Sequence, residues 1–221
     1  WREARTKSDF AGITGLLAEV LRLETEAAEI KAEALDCTPY DALLDQYSPG
    51  IDTATVERTF AQLTEFLPDF IQAVIERQAT HPAPALPKGP FPLATQREVG
   101  MRFMAALGFD FEGGRLDVST HPFSGGTPDD LRITTRYDED DFATGLMGIL
   151  HETGHALYER GLPKDWRLAP VGTARGMDIH ESQSLLIEMQ PCRSKPFIDY
   201  AAPILKDAFG GSGPLWDAHN L

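Results

Sequence analysis

The stretch that decides the reading is residues 140–163, DDFATGLMGILHETGHALYERGLP. Phe142, Leu146, Ile149, Leu150, Ala156 and Leu157 recur at the three- and four-residue steps of one helix face. Asp140 or Asp141 can cap the start, and Gly161 followed by Pro163 can end it. Inside this helix lies His151-Glu152-Thr153-Gly154-His155, an HExxH sequence. Residues four apart share a helix face, so His151 and His155 point the same way and can both reach one small cation. Glu152 sits about 100° further round, close to such an ion without being an evident ligand. That is the place for a general base acting on a water molecule. The alternative is a solvated helix face that happens to carry these three side chains.

Upstream, residues from about Asp9 to Leu35 read as one long helix, with Phe10, Ile13, Leu17, Val20, Ala27 and Ile30 as its apolar stripe. A second runs from about Thr53 to Gln78, with Val56, Phe60, Leu63, Phe66, Leu67, Phe70, Val74 and Ile75 as its buried side. Together they suggest a helical hairpin whose stripes are core. The Pro-rich segment His81 to Pro92 is a connector. It divides the chain into a scaffold, 1–92, and a metal-site region, 93–221, expected to form one continuous domain. A third helix spans about Thr95 to Leu107. Arg115 to Thr120 and Leu131 to Tyr137 alternate like short strands, joined by a loop containing Ser124-Gly125-Gly126-Thr127-Pro128. After the HExxH helix come a loop, a helix from near Asp178 to Pro191, and a last helix over about Pro196 to Phe209. The fold class is therefore mainly α: a zincin-like arrangement of long helices with a small β-hairpin or sheet beside the HExxH helix.

A catalytic metal site needs a third protein ligand. His121, His180 and Glu181 have suitable chemistry. Glu181 is placed best, because an antiparallel return after a loop would face it toward the histidine pair, whereas His180 would point about 100° away.

The formal net charge is −14, with 42% hydrophobic and 24% charged residues. That is the balance of a globular protein, and its sign disfavours nucleic acid or anionic lipid as partner. No apolar run is long enough to span a membrane. Cys37 and Cys192 are too few for a disulfide framework and are expected to be free thiols in a reducing compartment.

Four motifs then appear in order: His121-Pro122-Phe123, Asp130-Leu131-Arg132-Ile133-Thr134, His151 to His155, and His180-Glu181-Ser182-Gln183-Ser184. In these the chain resembles the carboxypeptidase Taq family of metallocarboxypeptidases, and Tyr40 to Gly50 and Arg193-Ser194 with Phe197 add to the likeness. The resemblance implies a metal-dependent carboxypeptidase that releases single C-terminal amino acids from peptides. It implies zinc, with cobalt accepted, His151, His155 and Glu181 as metal ligands, and Glu152 as general base and acid. It also implies a homodimer in the full-length protein, acting on peptides with a free C-terminal carboxylate; the cytoplasmic location is expected from the acidic composition and the free thiols. Arg132 is the candidate for holding that carboxylate, or else a structural partner of Asp130. His121 is a candidate substrate contact, or else part of a tight turn. Family members carry further helical sequence before this part and two further motifs after it, so a longer polypeptide is expected. The other readings are a metallo-endopeptidase with the same ligands and a metal-binding helical fragment without catalytic competence.

Overall fold

The computed structural model describes residues 1–221, which divide into two units, Trp1–Gln78 and Ala79–Leu221. The first contains α1 (Arg2–Thr6), α2 (Ala11–Leu35), α3 (Pro39–Leu44) and α4 (Thr53–Gln78). Thr38 caps α3 by accepting from the Asp41 N–H, with Pro39 at the first helical position, where its missing donor costs nothing. Asp41 in turn accepts from the backbone N–H and the hydroxyl of Thr53, at 2.7 and 2.5 Å, and so fixes the start of α4. α2 packs on α3, and Ala28, Ala32 and Ala42 are buried between them.

The stripes expected as core in this unit are not buried. Phe10, Val20 and Ile30 of the first are exposed, as are Phe60, Phe66, Phe70 and Ile75 of the second. Only the short α3 covers α2, and α2 and α4 do not pack along their lengths. The helices form where the periodicity placed them, but no second layer lies over their apolar faces.

The second unit begins with the Pro-rich segment, earlier than the sequence suggested. The reason is Phe91, which is buried among Phe142, Phe209 and Trp216 and ties the connector to this core. There follow α5 (Leu93–Ala106), β1 (Gly114–Val118), β2 (Phe123–Thr127), β3 (Asp130–Thr135), α6 (Phe142–Gly161), α7 (Met177–Met189) and α8 (Lys195–Ala208). The sheet order is β1-β3-β2, with β3 parallel to β1 and antiparallel to β2. Two strands were expected; the third forms in the glycine-rich segment read as a loop. Phe123-Ser124-Gly125-Gly126-Thr127 has little strand propensity of its own. It is held by its ladder with β3, in which Gly126 pairs with Leu131 at φ +111°, and by the tight turn at Pro128-Asp129 that joins the two strands.

α6 is the centre of this unit. Phe142, Leu146 and Leu150 enter a cluster with Val99, Phe103, Ala201, Leu205 and Trp216. Ile149 and Ala156 enter another with Met104, Phe109, Leu116, Leu131 and Ile133. The helix thus has an aromatic core on one side and the sheet on the other, and the HExxH residues occupy what is left. Asp141 caps it, accepting from the N–H groups of Ala143 and Thr144 at 2.9 and 3.1 Å.

Candidate metal centre

α6 and α7 cross closely at Gly154. A Cβ there would stand 2.7 Å from both the Gln183 carbonyl oxygen and the Ser184 Cα. The absence of a side chain is what admits α7 against the HExxH turn. Ser184, fully buried at this contact, donates its hydroxyl to the Glu181 carbonyl at 2.6 Å. One turn before it, Glu181 is brought over the histidine pair.

The three side chains converge. Glu181 Oε2 lies 3.3 Å from His155 Nε2 and 3.7 Å from His151 Nε2, and one ligand atom from each residue falls within 4.8 Å of the others. Donors held at 2.0–2.1 Å by a tetrahedral ion stand about 3.3 Å apart. The two imidazoles and the carboxylate therefore fit a small divalent cation with minor closure, and the half-exposed Glu181 has room to make it.

Each histidine is held from behind. His151 Nδ1 is 3.0 Å from Glu188 Oε2, and Arg193 donates to the other oxygen of Glu188 at 2.5 Å. Burial pushes the Glu188 carboxyl up, but the hydrogen bonds from Arg193 and His151 together outweigh it and hold it below the ordinary carboxylate range. His155 Nδ1 is 2.6 Å from His180 Nδ1, and His180 Nε2 is 2.9 Å from Glu159 Oε1. Burial, then the neighbouring His180 and His151 rings, lower the pKa of His155 and favour the neutral ring that a metal requires.

Glu152 is buried, and loss of solvent raises its pKa above the usual value, against the attraction of His151. It faces an open cleft of about 490 Å³ lined also by His121, Pro122, Met147, His151, Glu188 and Arg193. His121 is thus brought beside the HExxH residues. Its Nδ1 lies 2.7 Å from the Pro122 carbonyl, to which it can only donate, so the lone pair of the neutral ring is on Nε2.

Arg132 is not brought there. It lies half-exposed on β3, and its guanidinium donates to both oxygens of Asp130, at 2.6–3.2 Å. This is the structural pairing set against the substrate role. β3 is the middle strand, and the Arg132 side chain projects to the solvent face while its neighbours Leu131 and Ile133 turn into the core. Glu188 is legible in the sequence as a residue two turns after Glu181 on the same helix face, able to support a ligand, whereas Glu159 was missed. The available signal for Glu159 was spacing, since His151, His155 and Glu159 follow one another at four-residue steps on α6.

Two imidazoles from an HExxH helix and a carboxylate from the next helix are a donor set of the metallopeptidase kind. The comparisons agree. Carboxypeptidase Taq (M32) metallopeptidase matches residues 1–221, and the chain belongs to that family. It is 39% identical to thermostable carboxypeptidase 1 of Thermus thermophilus over 97% of its own length and 44% of the relative's. It is 37% identical to carboxypeptidase 1 of Bacillus subtilis, over 89% of the chain and 39% of that protein. Among solved structures it resembles Trypanosoma cruzi metallocarboxypeptidase 1, with a TM-score of 0.90 and 42% identity over 100% of this chain and 44% of that one. The chain spans less than half the length of these relatives.

Proposed function

We propose that this chain carries the metal centre of a carboxypeptidase that releases single C-terminal residues from peptides. The observation that carries the reading is the approach of Glu181 Oε2 to both imidazole Nε2 atoms, 3.3 and 3.7 Å away. His151, His155 and Glu181 would hold a divalent cation, here taken as zinc, with cobalt accepted by the same donors. When bound, such an ion supplies Lewis acidity toward the scissile carbonyl and lowers the pKa of coordinated water.

The chain's own residues would do the rest. Glu152, its pKa raised by burial, takes a proton from the attacking water and passes it to the departing amine. Glu188 and His180 hold the two imidazoles at fixed angles. His121 presents Nε2 to the cleft, where it can accept from a substrate N–H. β2 is an edge strand that starts beside His121 and Pro122, so an extended peptide can add along it. Of the cleft residues, Arg193 carries the guanidinium, and its nitrogens not engaged with Glu188 are available for a carboxylate. A homodimer of the longer polypeptide, from the family resemblance, and a cytoplasmic location, from the acidic composition and the free thiols, belong to the same proposal. No helix here is long and apolar enough to cross a membrane.

The test is Glu152→Gln in the full-length protein, with metal content measured beside release of amino acids from a short peptide. The variant should keep its metal and lose roughly 10²–10⁴-fold in rate. A metal-loaded Gln variant with wild-type turnover would remove Glu152 from the chemistry. Equal cleavage of peptides with free and amidated C-termini would favour an endopeptidase.

A further inference from the structure

We propose that His180, directed by Glu159, is a positioning residue that dictates which ring nitrogen of His155 is left free for the cation. The inference rests on the metal-centre reading above and concerns how that centre is kept ready.

A neutral imidazole carries one N–H and one lone pair. A ligand nitrogen must offer the lone pair, and the nitrogen of His155 that faces Glu181 is Nε2. Its proton therefore sits on Nδ1, 2.6 Å from His180 Nδ1. Across that distance one nitrogen must donate and the other accept, since two N–H groups would clash and two lone pairs would repel. His180 Nδ1 is then the acceptor, and the proton of His180 is on Nε2. There it meets Glu159 Oε1 at 2.9 Å, and an ionised carboxylate can only accept.

The donor direction runs one way, from His155 to His180 to Glu159. Reversed, it would put a proton on His155 Nε2, where a ligand lone pair is needed. It would also set the bare Nε2 of His180 against a carboxylate. Glu159 at the far end thus selects the useful tautomer at the near end. The ring plane of His180 is set by Tyr158, packed edge-on with centroids 5.0 Å apart. The partner histidine is served differently: Glu188 meets His151 Nδ1 directly, with no ring between. An imidazole is interposed on one side only because Glu159 lies on α6 itself, one turn beyond His155, and reaches the ligand through α7.

Two substitutions in the full-length protein separate this role from packing. His180→Phe keeps the bulk of the ring and removes the acceptor. His180→Asn loses the ring but places Oδ1 near the position of Nδ1. Zinc affinity, measured by competition with a chromogenic chelator, should fall roughly 10–100-fold in the Phe variant and recover most of that in the Asn variant. The opposite order, with Phe binding like wild type and Asn weaker, would mean that His180 only fills space and would overturn the proposal. Should either variant fail to fold, ¹⁵N imidazole shifts of the metal-free wild type at mildly alkaline pH decide the matter. A proton on His155 Nδ1 and on His180 Nε2 is expected. Protons on His155 Nε2 and His180 Nδ1, in a protein that still binds zinc, would overturn the relay and leave the metal reading standing. The expected tautomers in a wild type that binds no zinc would confirm the hydrogen-bond direction and overturn the metal reading, along with the purpose given to His180.

Discussion

Gly154→Ala tests whether the centre depends on the closeness of one helix crossing. The added methyl would stand 2.7 Å from Ser184 Cα and from the Gln183 carbonyl, both backbone atoms that cannot swing aside. Ordinary carbon contacts need about 3.5 Å, so α7 must retreat by roughly 0.8 Å. Glu181 lies one turn from Ser184 and would move with it, opening the 3.3 Å approach to His155 to about 4 Å. Overpacking costs about 1–3 kcal/mol, while replacing a mid-helix glycine by alanine returns about 1 kcal/mol. The metal-free protein should therefore lose no more than about 2 kcal/mol. The centre should suffer more, because a displacement near 1 Å can cost about 100-fold in rate. Thermal unfolding of the metal-free protein, zinc competition and peptide hydrolysis, run side by side, read these effects separately. An alanine variant with wild-type zinc affinity and activity and a raised Tm would refute the reasoning, since it would show that the crossing has slack.

Asp141→Ala should remove the cap of α6 and cost about 1 kcal/mol in denaturant unfolding at neutral pH. The Thr144 hydroxyl and then, against some burial, the Thr144 and Ala143 N–H groups hold the Asp141 carboxyl below the ordinary range. A depressed folded-state pKa gives stability that is present above the unfolded value, near 3.9, and is lost as pH falls through the folded one. The difference between the two proteins should accordingly shrink below about pH 4; a difference constant to lower pH would point to a cap that does not need the charge. Arg132→Ala breaks only an exposed pair and should cost less than about 1 kcal/mol. It should leave KM for a free-carboxylate peptide unchanged, and a rise in KM absent from amidated peptides would return Arg132 to the cleft.

The HExxH helix, its cap and the helix bearing Glu181 could be read from the sequence because each rests on local rules: 3.6-residue periodicity, an Asp before the first turn, a Gly-x-Pro stop. That Glu181 lies opposite the histidine pair could also be read, because one loop and one return leave few ways to face a helix. What could not be read has non-local causes. Strand β2 exists through its ladder with β3, not through its own residues. Phe91 joins the core across the whole length of the second unit, against Phe209 and Trp216. Periodicity told which faces of α2 and α4 are apolar, but whether they are buried depends on what lies over them. Arg132 and Arg193 illustrate the same limit. Both are arginines near motifs, and only the packing of α6, α7 and the residues that follow shows that the second, not the first, reaches the cleft.

All the donors and supports described around the ion site fall between His151 and Arg193, on two successive helices and the turn after them. The segment that must close to assemble them, residues 162–176, is local in sequence, and closure entropy grows only slowly with length, so the pair can form early. A cation seated there would act as a staple between consecutive helices, stabilising the native fold in proportion to its affinity and concentration. Metal supply would then govern the lifetime of this half of the molecule in a cell as much as its turnover, and a chelator would expose it to proteolysis at the same moment that it stopped the chemistry.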